Sequence, residues 1–175
     1  MFEAISMVLL ASGAAPAAQP AVPAADHIVT AANTRIVKAD GTIVGSARIL
    51  SHRGAISIWV GARGLVPGRR YGVHIHDVGR CEGPAFESAG PHWNPQARHH
   101  GLRNPAGAHL GDLPNLEIGA DGTGAVRFPI TATLANLLDA DGASVVIHAA
   151  PDDERTDPSG NSGARIACGV LARLR

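Results

Sequence analysis

Aromatic residues make up only 3% of this chain's 175 residues, so its core has to be filled by Val, Ile, Leu and Ala rather than by large rings. An excess of charge is missing as well: Lys plus Arg and Asp plus Glu both number 15. That balance argues against a nucleic-acid footprint, a polybasic membrane patch or any other polyanionic partner. Long apolar runs are absent, and the stretch over residues 4–15 is too short to cross a bilayer. No helical periodicity extends beyond a turn or two. At this length one domain can still bury a full core without relying on metal or disulfide alone.

What the chain has in quantity is turn formers, 21 Gly and 12 Pro, set between short alternating apolar segments. Strands are expected at 34–39 and 42–50, flanking the hairpin dipeptide Asp40-Gly41, then at 56–60, 70–77, 116–118, 125–130, 144–148 and 166–174. A short helix is expected at 132–138. About eight strands with Gly-rich turns predict an all-β fold, an antiparallel barrel or sandwich. Two segments stand apart, 78–115 with five prolines and six glycines, and the polar 149–165. Loops this long in a compact domain carry function or are disordered.

The first 25 residues differ from the rest. An apolar run followed by an Ala/Pro stretch with A-x-A sites reads as a secretory signal lacking its basic start, or as a disordered Ala/Pro-rich tail. Two regions are therefore expected, 1–25 and a folded domain over 26–175. The cysteines, Cys81 and Cys168, suggest one disulfide in an exported chain, two buried thiols being the alternative.

The sharpest signal is a run of metal-capable side chains: His74, His76, His92, His100, His109, Asp112 and His148. His74 and His76 are two apart, so on a strand they face one side while Val73 and Ile75 face the core. His148 ends the apolar run Val145–Ile147 and can join them from a neighbouring strand. His92, His100, His109 and Asp112 supply three nitrogens and one oxygen, enough for a closed tetrahedral zinc site. His27 and His52 read as ordinary surface residues. His99 does too, although spacing alone does not separate it from His100.

Four stretches carry a resemblance: Gly72-Val73-His74-Ile75-His76-Asp77-Val78-Gly79, Ser88-Ala89-Gly90-Pro91-His92-Trp93-Asn94-Pro95, His109-Leu110-Gly111-Asp112-Leu113, and the run from Gly160 to Gly169 containing Arg165 and Cys168. Together they resemble copper/zinc superoxide dismutase, from about residue 34 onward. The resemblance implies an eight-stranded Greek-key barrel, with copper on His74, His76, His92 and His148 and zinc on His92, His100, His109 and Asp112. His92 would bridge the two ions, and the family's spacing selects His100 over His99. It implies that Asp152 links the outer nitrogens of His74 and His100, and that Arg165 attracts and orients superoxide. Copper would cycle between oxidation states, with His92 moving a proton.

The chain departs from eukaryotic members in its loops. Residues Glu82 to Glu87 lengthen one, the segment from Asp152 to Arg165 is shorter, and Pro158 stands where those relatives carry a steering lysine. These changes bear on outer guidance and on a homodimer interface, and touch no ligand. The expectation is a bacterial exported, periplasmic enzyme. A copper- and zinc-storing protein without activity is the alternative.

Overall fold

The computed structural model describes residues 27–174, and the expected signal or tail over 1–25 lies outside them. Nine strands are present among the described residues: β1 (Val29–Val37), β2 (Ile43–His52), β3 (Ala55–Arg63), β4 (Arg70–Tyr71), β5 (Val73–His76), β6 (Leu116–Glu117), β7 (Thr123–Ile130), β8 (Ala143–His148) and β9 (Arg165–Arg173). One short helix, α1 (Leu134–Leu137), is capped by Thr133, whose hydroxyl accepts from Asn136 N.

The expected strand over 70–77 is interrupted at Gly72, giving β4 and β5. Gly72 is drawn onto the segment after β8: its N–H donates to Ala150 O, and its carbonyl accepts from His148 N. A Cβ at Gly72 would stand 2.6 Å from Ser162 Oγ, so only glycine allows the approach. The first strand begins earlier than its local pattern indicates because residues 29–33 pair with β2, from Ser51 to Arg48, a contact invisible in a local window.

Seven strands form one antiparallel sheet in the order β5-β8-β9-β1-β2-β3-β7. β4, continuing one edge strand, pairs with β6, which turns into the other edge strand through the Gly119 N to Thr123 O bond of 2.8 Å. The sheet is thereby curled until its edges approach. The connections from β3 to β4 and from β7 to β8 cross between opposite ends of the strand order, as in Greek-key barrels. Between β2 and β3 the turn residues Arg53 and Gly54 both have positive φ, 50° and 84°, which suits a two-residue hairpin.

Alternation sorts the side chains. On β3, Ile56, Ile58 and Val60 are buried while Ser57 and Trp59 face outward. Ile36, Ile49, Ile58, Ile75, Leu116 and Ile147 are fully buried in the central cluster, each contributing roughly 1.5–3 kcal/mol relative to exposure. This aliphatic barrel is the rigid support for the two long loops. Those loops lie against each other, joined by bonds such as Arg103 N to Glu154 O at 3.0 Å.

Candidate metal centre

Strand β5 supplies the base of the site. His74 and His76 are fully buried on the face away from Val73 and Ile75, which belong to the apolar core. The first long loop then lays itself beside β5 by main-chain bonding: Trp93 N donates to Ile75 O at 2.9 Å, Ile75 N to Gly111 O at 2.8 Å, and Gly111 N to Trp93 O at 2.9 Å. A Cβ on Gly111 would collide with Ile75 O, so glycine permits the backbone contact. His92 and Asp112 are brought level with His76 and His74 in this way. On the other side β8 presents His148, which alternation places on the face opposite to core residues Val145 and Ile147, and a register shift in β9 leaves it across from Arg165.

Two groups result, each with candidate ligand atoms within 4.8 Å of one another: His74, His76, His92 and His148, and His74, His92, His100 and Asp112. His109 joins the second, its Nδ1 lying 3.3 Å from Asp112 Oδ1. The same oxygen is 3.1 Å from His92 Nδ1 and 3.0 Å from His100 Nδ1. The His92 ring lies between the groups, with its centroid 3.8 Å from that of His74.

Six buried ring nitrogens have no hydrogen-bond partner: His74 Nδ1, His76 Nε2, His92 Nε2, His100 Nδ1, His109 Nδ1 and His148 Nε2. An unpaired buried polar atom costs about 1–3 kcal/mol, so six in one place need an explanation. Besides His92, whose Nδ1 bonds Asp112 Oδ1 at 3.1 Å, four of these rings spend their other nitrogen on an acceptor outside the ligand groups. His76 Nδ1 donates to Gly90 O at 2.9 Å, His148 Nδ1 to Gly163 O at 3.2 Å, His74 Nε2 to Asp152 Oδ2 at 2.7 Å and His100 Nε2 to Asp152 Oδ1 at 3.0 Å. A proton fixed on the outer nitrogen leaves a lone pair on the inner one, the condition for metal ligation. These residues fit metal ions.

The electrostatics agree. Burial lowers His74 to about 3, His76 to about 2 and His148 to about 4, so all three are neutral at pH 7. Burial opposes charge on His100 too, but Asp112 and Asp152 outweigh it and raise that ring to about 9. A cation in the second group therefore replaces a proton that two carboxylates already favour. Burial raises Asp112, yet the close imidazoles of His100, His109 and His92 and the bond from Gly101 N hold it far below the carboxylate range.

Arg165, at the start of β9, is partly exposed beside this cluster. Its guanidinium donates to Phe86 O and Gly90 O, both at 2.7 Å. Those carbonyls belong to the loop that Cys81 anchors, and Cys81 is joined to Cys168 on β9 by a disulfide. His99 is exposed and pairs with Asp157 at 2.6 Å, whereas its neighbour His100 is buried against Asp112.

Several contributors escaped the sequence reading. Buried Asn115 holds the main chain of Asp152 at both ends, accepting from its N–H at 2.7 Å and donating to its carbonyl at 2.9 Å. Gly160, with φ +61°, packs so closely that a Cβ would collide with Asp152 Oδ1 and crowd His100 Nε2. Gly101 N and His109 N both donate to Asp112 Oδ2, at 2.8 and 3.0 Å. No local sequence pattern marks these partners, since each acts through a contact distant in sequence or through its main chain.

A curled antiparallel barrel carrying two adjoining buried clusters of imidazole and carboxylate defines a β-barrel metalloprotein. The profile of the family described as copper/zinc superoxide dismutase (SODC) matches residues 43–171, and the chain belongs to that family. Over 146 residues it is 45% identical to the superoxide dismutase-like protein YojM of Bacillus subtilis, covering 79% of this chain and 74% of that one. It is 41% identical over 147 residues to superoxide dismutase [Cu-Zn] of Caulobacter vibrioides, covering 79% and 84%. Among solved structures it is similar to the Cu/Zn superoxide dismutase of Brucella abortus, with TM-score 0.64, 29% identity and coverage of 80% and 98%. The dismutase-like protein of Bacillus subtilis aligns with TM-score 0.75 and 42% identity, over 83% and 100%.

Proposed function

We propose that this chain dismutates superoxide, converting two superoxide anions and two protons into oxygen and hydrogen peroxide. His74, His76, His92 and His148 hold copper; His92, His100, His109 and Asp112 hold zinc. The observation that carries the assignment is the set of six inward, unpartnered ring nitrogens, each on a residue of these two groups. When bound, copper supplies one-electron chemistry by changing oxidation state, while zinc, which has no redox chemistry, fixes the geometry.

The protein's own groups do the rest. Arg165 offers a cation whose orientation is set by two carbonyls, and a small anion arriving there is drawn in and posed. His92 has ring nitrogens facing both groups, with Nδ1 toward Asp112 and Nε2 toward His74, His76 and His148. Its Nε2 would hold a proton whenever it is not serving as a ligand, and would give that proton to the peroxide product. Asp152 keeps the protons of His74 and His100 on their outer nitrogens, so neither ring competes for that role.

A storage role without catalysis is the second reading, favoured by the name dismutase-like borne by the Bacillus subtilis relative. The deciding experiment is a dismutation assay with metal analysis on the exported protein, before and after copper addition. One copper and one zinc per chain with copper-dependent dismutation is the expected result. Two metals bound with no dismutation establishes storage. Among the described residues no helix is long and apolar enough to cross a membrane, and the disulfide suits an exported, periplasmic protein.

A further inference from the structure

Equal totals of acid and base conceal an uneven placement. Strands β1, β2, β3 and β7 contain no Asp or Glu, yet Arg35, Arg48, Arg63 and Arg127 are all exposed on them. Among the described residues no carboxylate lies within ion-pair distance of any of the four. Elsewhere Arg70, Arg80 and Arg103 are paired with Glu117, Glu82 and Glu154. The carboxylates in the turns beside this sheet are occupied locally, Asp40 by Thr42 N at 2.8 Å and Asp121 by the Thr123 hydroxyl at 2.7 Å.

The strand register arranges these cations around one aromatic ring. Arg48, Trp59 and Arg127 form a single cross-strand row, and Arg35, Ser46, Gly61 and Ala125 form the next row on the same outer face. With one strand between them, Arg48 and Arg127 stand about 10 Å apart at the backbone. Trp59 folds flat over Gly61, where a Cβ would collide with its ring. The guanidinium carbon of Arg48 lies 5.3 Å from the ring centroid, and Arg127 Nε donates to Ser57 Oγ at 3.3 Å. Beside the ring a cleft of about 730 Å³ runs between Arg35 and Arg63 over Gly45, Gly61 and Gly124.

We propose that this face binds an anionic polysaccharide, with a sugar ring against Trp59 and its carboxylate or sulfate groups on the flanking arginines. Arginine's planar fork suits such anions, and a flat aromatic offers a sugar an apolar platform. A bilayer is the poorer fit, because Ile43 is the one large aliphatic strongly exposed along the cleft and interfacial binding needs an apolar face. The disulfide suits an exported protein, and for such a protein envelope and extracellular glycans rather than nucleic acids are the polyanions met. The metal-capable groups are carried by β5, β8 and the long loops, and none of their residues belongs to the rows around Trp59 or lines the cleft. The two activities are therefore separable, and this inference is independent of dismutation.

The test measures binding of the full, metal-loaded protein to a size-defined heparin oligosaccharide and to polygalacturonate, with neutral dextran, phosphatidylglycerol vesicles and single-stranded oligothymidylate as contrasts. Trp59 is a built-in reporter, since the other tryptophan, Trp93, is 3% exposed. Expected are salt-sensitive binding to the acidic polysaccharides and a change in Trp59 fluorescence that Trp59→Leu abolishes. The pair R48Q/R127Q should lose about tenfold or more in affinity, two exposed charge contacts being removed, with dismutation unchanged. Arg70→Gln, paired elsewhere, should lose nothing. Thermal unfolding of R48Q/R127Q confirms that the variant is folded. The proposal is overturned by no binding at low salt, by equal losses in Arg70→Gln, by equal binding of dextran, or by tighter binding of vesicles or oligothymidylate.

Discussion

His76 and Arg165 hang from one oxygen atom: Gly90 O accepts from His76 Nδ1 at 2.9 Å and from Arg165 Nη2 at 2.7 Å. The ring proposed to hold copper and the cation proposed to receive superoxide are thus positioned by the same main-chain carbonyl. Gly90 itself has φ +73°, and a Cβ there would stand 2.9 Å from Val78 Cγ2. Gly90→Ala should strain this turn by about 1–2 kcal/mol and displace both groups together. The expected outcome is lower copper content and slower turnover per bound copper. A variant with parental copper content and rate would show that the shared carbonyl is immaterial.

Arg165→Ala should keep both metals and lose about tenfold or more in dismutation, because the family's rates approach the diffusion ceiling and depend on local anion capture. Arg165→Lys should lose less: it keeps the charge, although one ammonium cannot reproduce the fork that reaches Phe86 O and Gly90 O. Added salt should slow the parent more than the alanine variant. Stopped-flow rates across a salt series check this, and an alanine variant with parental rates and salt response excludes the role.

Asp152→Ala should weaken retention of both metals by about 10- to 100-fold, the usual cost of removing an outer partner of a ligand. Competition with a chelator measures it. Parental retention of both metals would remove Asp152 from the centre.

Asn115→Ala should reproduce part of that loss from a distance. Truncation leaves the buried N–H and carbonyl of Asp152 without the partners they have at 2.7 and 2.9 Å, a penalty of about 1–3 kcal/mol for each group left unpaired. Unfolding midpoints and chelator competition should both fall. Loss of stability with unaltered metal retention would reduce Asn115 to a packing residue.

Reducing the Cys81–Cys168 bond, which spans 87 residues, should remove about 4 kcal/mol in the chain-entropy picture. The loop carrying Phe86 O and Gly90 O is then released from β9. Both the melting temperature and the rate should drop, and an unchanged rate after complete reduction would separate the bond from Arg165.

Much of this architecture was legible in the chain. Alternation and the Asp40-Gly41 turn mark strands because local sterics and burial dictate them, and the eight expected segments are present with shifted ends. Gly72 hid the break between β4 and β5, since its cause is the approach of Ala150 and Ser162 from far along the chain. His74 and His76 declared themselves by spacing. His100 was separable from His99 only through resemblance, and the physical difference between them is burial against Asp112. Asn115, Gly101 and Gly160 stayed hidden because nothing in their neighbourhood marks a side chain for holding a remote main chain, or a missing one for making room.

The pairing of β1 with β9 has a kinetic meaning. Val37 lies opposite Cys168, and Ala32 opposite Arg173, so the first strand finds its second neighbour only when the last has been made. Contacts between the extremes of a chain are slow to form, because a long loop must close before they repay it. The same final strand carries Arg165 and Cys168, and it pairs with the strand bearing His148. A ribosome-bound or partly translocated chain therefore cannot complete the barrel or the cluster of ring nitrogens. Closure of the barrel waits on β9, which follows every other described strand in the chain.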